Sequence, residues 1–359
     1  MKCGWKSSLD SKKNCDNDVK FDVDVLDATY CICHKSGKSE EENELMMEFI
    51  RNEKLCDFTG FVFEEDFKAG EIIDYDYDLL NFNEVVFRKD ADFSNVEIKK
   101  VIKFENTKFC GRVSFRHSMI YGNCIFINTE FNKEYIFDHI FKGVHFKGQD
   151  LVIKNIKNFP RLDAILFSNY SKIILEKTSY DKGEYMNGKI NYRIARNQAS
   201  KIGDYERTGN YYYNERYYGS KLMKRSDYGK LSEYLGEKFF DDIAKYVTGY
   251  GQKPWNIIIL ILLIISVFAF LYLFAGIATV QNRDLSIGIN EVFQYSFKDL
   301  LSRYLNLWYL SMMTFSTLGY DEIYEISSFG KVVSCVEVFL GMSTGAIWTS
   351  VILKRLLHK

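Results

Sequence analysis

The six-residue run TLGYDE, residues 317–322, lies between two long apolar segments. It offers a hydroxyl at Thr317 and carboxylates at Asp321 and Glu322. Gly319 lets the backbone point its carbonyls in directions that a residue with a Cβ resists. Carbonyl and hydroxyl oxygens arranged in rings replace the water around a partly dehydrated cation. The run is therefore a candidate cation-binding segment.

This run resembles the selectivity filter of the potassium-channel pore family, whose usual form is Thr-Val-Gly-Tyr-Gly-Asp. The resemblance implies K⁺ or another monovalent cation in the filter and an ion-binding set of Thr317, Leu318, Gly319, Tyr320 and Asp321. Glu322 would lie at the outer mouth. Asp321 replaces the second glycine of the family, and a residue with a Cβ enters the left-handed region only at a steric cost. We therefore expect cation selectivity with a weaker preference for potassium over sodium.

The segments around the run fit a two-span channel module at residues 254–359. The first span is predicted at 255–278, which carries no charge and is long enough to cross a bilayer. A pore helix is predicted at 300–316 and the second span at 329–353. Lys and Arg outnumber Asp and Glu before the first span and follow the second, which predicts that both termini are cytoplasmic.

Two residues of the second span have predicted roles. Gly341 matches by position the hinge glycine of pore-lining helices in the channel family, so the resemblance implies a gating hinge. Glu337 is an ionisable residue inside an apolar span, a position that is costly and usually faces protein or water. We predict that it faces the pore helix or the cavity behind the filter and braces the filter. A hydrogen bond between subunits is the alternative.

Large apolar residues recur before this module at steps that alternate between five and six. They are Phe82, Phe87, Phe93, Ile98, Phe104, Phe109, Phe115, Ile120, Phe126, Phe131 and Phe137. The residues two positions before them are mostly small or β-branched, so each unit is a short strand fragment followed by a turn. The pattern resembles the pentapeptide-repeat family. The resemblance implies an all-β, right-handed quadrilateral β-helix at residues 57–178 with Phe and Ile stacked inside.

The remaining segments complete a multi-domain membrane protein. A short amphipathic helix is predicted at 41–56 and an α-helical connector rich in tyrosine at 179–253. Aromatic residues make up 16% of the chain and only two residues are proline, a composition unlike that of disordered proteins. The chain opens with no apolar leader, so we expect the β-helix to be cytoplasmic.

The N-terminal segment, residues 1–40, contains a candidate zinc site. Cys31 and His34 have the spacing of half such a site, and Cys3 and Cys15 would complete four tetrahedral ligands. Cys33 is an alternative ligand. The competing interpretation is a partly disordered tail with free thiols.

We therefore predict a homotetrameric, potassium-channel-like cation channel in the cell membrane, because one chain supplies one filter segment and four close a ring. The β-helix would bind an unidentified cytoplasmic ligand or protein, and solenoids of this kind usually bind or brace. A net charge of −1 does not favour nucleic acid as a partner, and no catalytic constellation indicates an enzyme. The alternative is a membrane-anchored scaffold with a degenerate pore.

Overall fold

The computed structural model divides into two compact units, Met1–Lys224 and Arg225–Lys359. The structure describes residues 4–9, 15, 30–72, 77–135, 139–279, 285, 287, 295–318 and 323–357.

The first unit is built around sixteen short strands. They are β1 (Val62–Phe63), β2 (Phe67–Lys68), β3 (Leu79–Asn81), β4 (Val86–Phe87), β5 (Ala91–Asp92), β6 (Glu97–Ile98), β7 (Val101–Glu105), β8 (Lys108–Phe109), β9 (Val113–Ser114), β10 (Met119–Ile120), β11 (Cys124–Ile127), β12 (Glu130–Phe131), β13 (Val144–Phe146), β14 (Asp150–Lys154), β15 (Ile165–Phe167) and β16 (Lys172–Glu176).

These strands form four parallel sheets, which are the four faces of a β-solenoid. The sheet orders are β1-β4-β8-β12, β2-β5-β9, β15-β13-β10-β6 and β16-β14-β11-β7-β3. Lys108 pairs with Glu130, so the chain returns to the same face after 22 positions. The quadrilateral β-helix predicted from the repeat is therefore confirmed.

Every second corner of the solenoid has a left-handed backbone. Non-glycine residues with φ between 50 and 58° recur every 11 positions, at Glu84, Asn95, Asn106, His117 and Asn128. Asn is one of the residue types that tolerate this left-handed region best. Each of these residues lies two positions after an interior phenylalanine, so the left-handed residue marks the corner of each five-residue step.

Phenylalanine rings fill the interior in stacked columns. In one column Phe82 stacks on Phe104 at 5.3 Å and Phe104 on Phe126 at 5.0 Å between ring centroids. A second column places Phe109 5.0 Å from Phe87 and 5.3 Å from Phe131. Of the predicted interior residues that the structure describes, all are buried except Phe131, which is half-buried on the last strand of its sheet. Phe137 lies outside the described residues.

One helix closes the solenoid at its N-terminal side. Helix α1 runs from Glu40 to Glu53, where the sequence predicts residues 41–56. Ser39 caps it, since its hydroxyl accepts from the Glu42 amide while the Glu42 carboxylate accepts from the Ser39 amide. Met46 and Ile50 are fully buried in the solenoid core.

Two helices follow the last coil, α2 (Tyr185–Lys201) and α3 (Tyr205–Leu222). Their tyrosines bind the open backbone of that coil: Tyr211 donates to the Ile173 carbonyl at 2.8 Å and accepts from the Leu175 amide at 3.2 Å. Tyr192 donates to the Thr178 carbonyl at 3.0 Å. Much of the tyrosine-rich composition therefore serves a solenoid cap, because a phenol can cover an exposed edge and pair its polar groups.

The second unit contains α4 (Leu231–Val247), α5 (Pro254–Tyr272), α6 (Phe297–Phe315) and α7 (Ser328–Leu357). Within the part of the chain that the structure describes, two segments are long and apolar enough to span a membrane, and they lie in α5 and α7. Helix α6 corresponds to the predicted pore helix and begins three residues before the predicted start.

The first apolar segment is not one helix over 255–278, as the sequence predicts. Helix α5 ends at Tyr272, and strand β17 (Ile277–Thr279) pairs antiparallel with β18 (Ile323–Glu325). Gly276 adopts φ 69°, which breaks the helical course of the backbone. An apolar composition alone does not distinguish the last turn of a helix from a strand, so the prediction was wrong at this end.

Candidate functional site

The candidate pore segment is built on α6, which packs between α5 and α7. Two α6 side chains donate hydrogen bonds to α5, Tyr304 to the Ser266 carbonyl at 3.1 Å and Trp308 to the Ser266 hydroxyl at 3.2 Å. The Ser311 Oγ lies 2.9 Å from the Ile265 carbonyl oxygen. Polar side-chain atoms of α6 thus meet oxygen atoms of the apolar helix α5, as is usual where water is scarce. The position of α6 against α5 is fixed by directional bonds as well as packing.

Glu337 of α7 is completely buried and joins all three helices. One carboxylate oxygen accepts from the Tyr272 hydroxyl at 2.7 Å, and the other accepts from the Ser311 hydroxyl. Tyr272 ends α5 and Ser311 lies in α6. The structure therefore places Glu337 against the pore helix of its own chain, and Ser311 bridges Glu337 to α5.

Gly341 lies where α7 passes the C-terminal end of α6. A Cβ built on Gly341 would lie 2.1 Å from the Phe315 carbonyl oxygen. The absence of a side chain therefore permits a close approach of two backbones two residues before the TLGYDE run. Helix α7 is continuous through Gly341, from Ser328 to Leu357.

Helix α6 ends in a Schellman motif that leads directly into the TLGYDE run. The Thr317 amide donates to the Thr314 carbonyl at 3.0 Å, and the Leu318 amide donates to the Met313 carbonyl at 3.2 Å. Thr317 adopts φ 59°, an outlier for a β-branched residue. Leu318 is 73% exposed in the single chain, so the segment faces away from the packed helices.

The structure describes only part of the predicted filter. Of its five predicted residues, Thr317 and Leu318 fall inside the described residues, whereas Gly319, Tyr320 and Asp321 fall outside, as does the predicted outer-mouth residue Glu322. The chain on the far side of the run returns through β18, which pairs with β17. Both ends of the candidate filter are thus attached to ordered elements.

A second cluster, in the other unit, brings together three of the predicted zinc ligands. Cys15, Cys31 and His34 have ligand atoms that all lie within 4.8 Å of one another. The Cys31 Sγ is 3.7 Å from the Cys15 Sγ and 3.2 Å from the His34 Nδ1. Cys3 lies outside the described residues. Two thiols and an imidazole at these distances are a donor set that Zn²⁺ accepts.

Neighbouring side chains pack around this cluster and influence its charge state. The Cys33 thiol lowers the pKa of Cys31 by hydrogen bonding to its thiolate, and His34 lowers it further. Trp5 stacks on the His34 ring, with 4.4 Å between centroids. Trp5 also occupies the space over Gly60, where a Cβ would lie 2.2 Å from its ring.

Sequence reasoning missed the partners of Glu337. Tyr272 and Ser311 are 65 and 26 residues away from it along the chain. The available signal was the presence of isolated hydroxyl residues in strongly apolar helices, because such groups need partners in a membrane. Spacing alone does not say which hydroxyl meets which carboxylate.

Comparison with known proteins found two matching family models. The model described as pentapeptide repeats (9 copies) matches residues 82–132, and the model described as ion channel matches residues 257–358. Searches of curated proteins and of solved structures found no match. The first matched region lies within the β-solenoid, and the second lies within the second unit and covers nearly all of α5–α7. The chain is therefore a pentapeptide-repeat membrane protein with a two-span, potassium-channel-like ion channel domain, as its sequence motifs predict.

Proposed function

We propose that this protein is a homotetrameric, cation-selective channel that conducts K⁺ or other monovalent cations passively through the TLGYDE run. The observation that carries the proposal is the three-helix brace made by Glu337, Tyr272 and Ser311. It holds α6 so that its C-terminal end leads into Thr317. The C-terminus of a helix carries partial negative charge, which favours a cation nearby.

Assembly of four copies follows from the single filter segment in each chain. A filter needs oxygens on all sides of the ion, and one segment supplies one side. The single chain leaves Leu318 exposed, together with many large apolar residues of the two candidate spans. On α7 they are Phe329, Val332, Val336, Phe339, Met342, Ile347, Trp348 and Leu353. Such surfaces are suited to lipid or to neighbouring copies of the chain.

Selectivity is proposed to depend on Asp321. Carbonyl and hydroxyl oxygens of residues 317–320 would form about three ion sites, because Asp321 resists the glycine backbone needed for the outermost ring. Four chains would also place Asp321 and Glu322 carboxylates around the outer mouth. Like charges at short distance favour bound cations or protons. We expect cation-over-anion selectivity, a reduced preference for potassium over sodium, and inhibition by millimolar divalent ions.

The proposed placement is multi-pass in the cell membrane with both termini cytoplasmic. Helix α4 precedes the first span and exposes a row of apolar side chains: Leu231, Leu235, Phe239, Ile243 and Tyr246. Glu233 and Glu237 lie on its opposite side together with the exposed Phe240, and Asp241 is buried. A helix that exposes this much apolar surface next to a span suits the lipid interface. Lipid is therefore a proposed partner of α4, and the β-solenoid is the proposed site of a regulatory ligand or protein.

Two measurements test this function. Native mass of the detergent-solubilised protein should give a tetramer, and a monomer or dimer would refute the channel assembly. Reversal potentials in mixed potassium and sodium solutions should shift towards potassium in Asp321→Gly. Glu322→Gln is the matched control, since it removes a mouth carboxylate without changing the backbone requirement at position 321.

The second candidate function is a membrane-anchored scaffold with a non-conducting pore. Asp321 in the place of the second filter glycine favours it, because this substitution damages the outermost ring. A tetramer that passes no cation before or after Asp321→Gly would support the scaffold over the channel.

A further inference from the structure

We propose that Cys15, Cys31 and His34 bind a structural Zn²⁺ ion that fastens the N-terminal segment onto the first coil of the β-solenoid. This site is separate from the proposed ion-conducting function, and its test does not depend on conduction.

The donor atoms support zinc rather than a disulfide or a free thiol pair. Three donors from residues separated by up to 19 positions converge within 4.8 Å, and two of them, Cys31 and His34, are buried. The Cys15 and Cys31 sulfurs are 3.7 Å apart, a spacing that one tetrahedral ion between them explains. Thiolate and imidazole together select Zn²⁺ over Mg²⁺ or Ca²⁺, which prefer oxygen.

The Thr59 carbonyl orients the His34 imidazole for metal binding. His34 Nε2 lies 3.1 Å from the Thr59 carbonyl oxygen. A carbonyl accepts only, so Nε2 carries the proton and donates, which leaves the Nδ1 lone pair directed at the Cys31 side. Metal-binding histidines usually donate their other N–H in this way. The stacked Trp5 ring shields the same imidazole from solvent.

The site lies at an edge that needs covering. Strand β1 is the terminal strand of its sheet, and the Val62 amide donates to the Cys33 carbonyl at 2.9 Å. The Thr59 carbonyl that orients His34 belongs to the same first coil. Zinc at Cys31 and His34 would therefore hold residues 31–34 across an otherwise open strand edge. Because Cys15 joins the same cluster, the ion would also tie a more distant part of the chain to this edge.

A fourth ligand, which would be the third thiolate, would come from Cys33 or Cys3. Cys33 is buried and lies two residues from Cys31 along the chain. Cys3 lies outside the described residues. Structural zinc usually takes four protein ligands, so one of these two residues should affect zinc content when it is changed.

Elemental analysis of the purified full-length protein tests the proposal. We expect about one zinc per chain, as one tetrahedral structural site implies. Cys15→Ser, Cys31→Ser and His34→Gln should each lower zinc content at least several-fold. Comparing the zinc content of Cys33→Ser with that of Cys3→Ser identifies the fourth ligand, because only the variant that removes the ligand should lose zinc. Cys110→Ser is the matched control, because Cys110 is exposed on the solenoid and far along the chain.

Two further readouts separate lost zinc from lost folding. Cys15 is half-buried whereas Cys31 and His34 are buried, so its replacement should disturb folding least. Cys15→Ser should therefore retain the wild-type circular-dichroism spectrum while losing zinc. Cobalt-exchanged wild-type protein should show thiolate-to-metal charge-transfer absorption, and that absorption should weaken in Cys15→Ser. Protein that contains no zinc and gives no cobalt–thiolate absorption would overturn the proposal, as would unchanged zinc in folded Cys15→Ser and His34→Gln.

Discussion

The close approach at Gly341 predicts what a single methyl group does to the pore. In Gly341→Ala the new Cβ would lie 2.1 Å from the Phe315 carbonyl oxygen. Cβ atoms in proteins essentially never approach a non-bonded atom more closely than 3.0 Å. The two backbones must therefore separate by about 1 Å, and overpacking of this kind costs about 1–3 kcal/mol. The higher helix propensity of alanine stabilises a helix interior by about 1 kcal/mol relative to glycine, which offsets part of that cost.

Gly345 provides the matched control. It lies one helical turn further along α7, and a Cβ there has nothing within 4 Å. Gly345→Ala keeps the gain in helix propensity without the clash. The difference between the two variants therefore isolates the packing cost, and we expect Gly341→Ala to be the less stable by about 1–3 kcal/mol.

Thermal unfolding in detergent measures this difference, and single-channel recording measures its effect on the pore. Because Phe315 precedes Thr317 by two residues, we expect Gly341→Ala to change unitary conductance or ion preference. A gating hinge at Gly341, the role implied by the family resemblance, instead predicts a changed open probability with unaltered conductance. Equal stability of the two variants, with conductance unaltered in both, would refute the packing argument.

Three further substitutions test other parts of the structure. Phe109→Ala should destabilise the solenoid by about 3–5 kcal/mol in urea unfolding, whereas Phe131→Ala at the half-buried column end should cost clearly less. Glu337→Ala should lower the thermal midpoint, since it removes the buried carboxylate that accepts from the Tyr272 hydroxyl, and a buried polar group left without its partner costs about 1–3 kcal/mol; a wild-type midpoint would contradict the brace. Gly60→Ala, at φ 78° and against the Trp5 ring, should change tryptophan fluorescence and cost at least about 1 kcal/mol.

The solenoid was the most predictable part of the chain, because its residues interact at a fixed separation. The phenylalanine spacing predicts which side chains face inward, and those columns are present. The same repeat held a further signal, the asparagines at 95, 106 and 128, which occupy the left-handed corners. Periodic structure is readable from one sequence since every coil repeats the same local geometry.

The sites were less predictable, because they depend on contacts between distant residues. Gly341 has the position of a hinge glycine, but its contact with Phe315 follows only from how α7 passes α6. Glu337 was expected to face the pore helix or the cavity behind the filter. That Tyr272 also donates a hydrogen bond to Glu337 could not be predicted, because it depends on where α5 ends. The end of α5 was itself mispredicted, since apolar residues 277–279 suit a strand as well as a helix.

Cation flux through the reconstituted protein tests the central proposal most directly. Liposomes containing tetrameric protein and loaded with potassium should release it down its gradient, and they should pass sodium to a lesser but measurable extent. Chloride should remain excluded, because the proposed filter presents oxygens and its mouth presents carboxylates. A folded tetramer in liposomes that passes neither potassium nor sodium would contradict the proposed channel function.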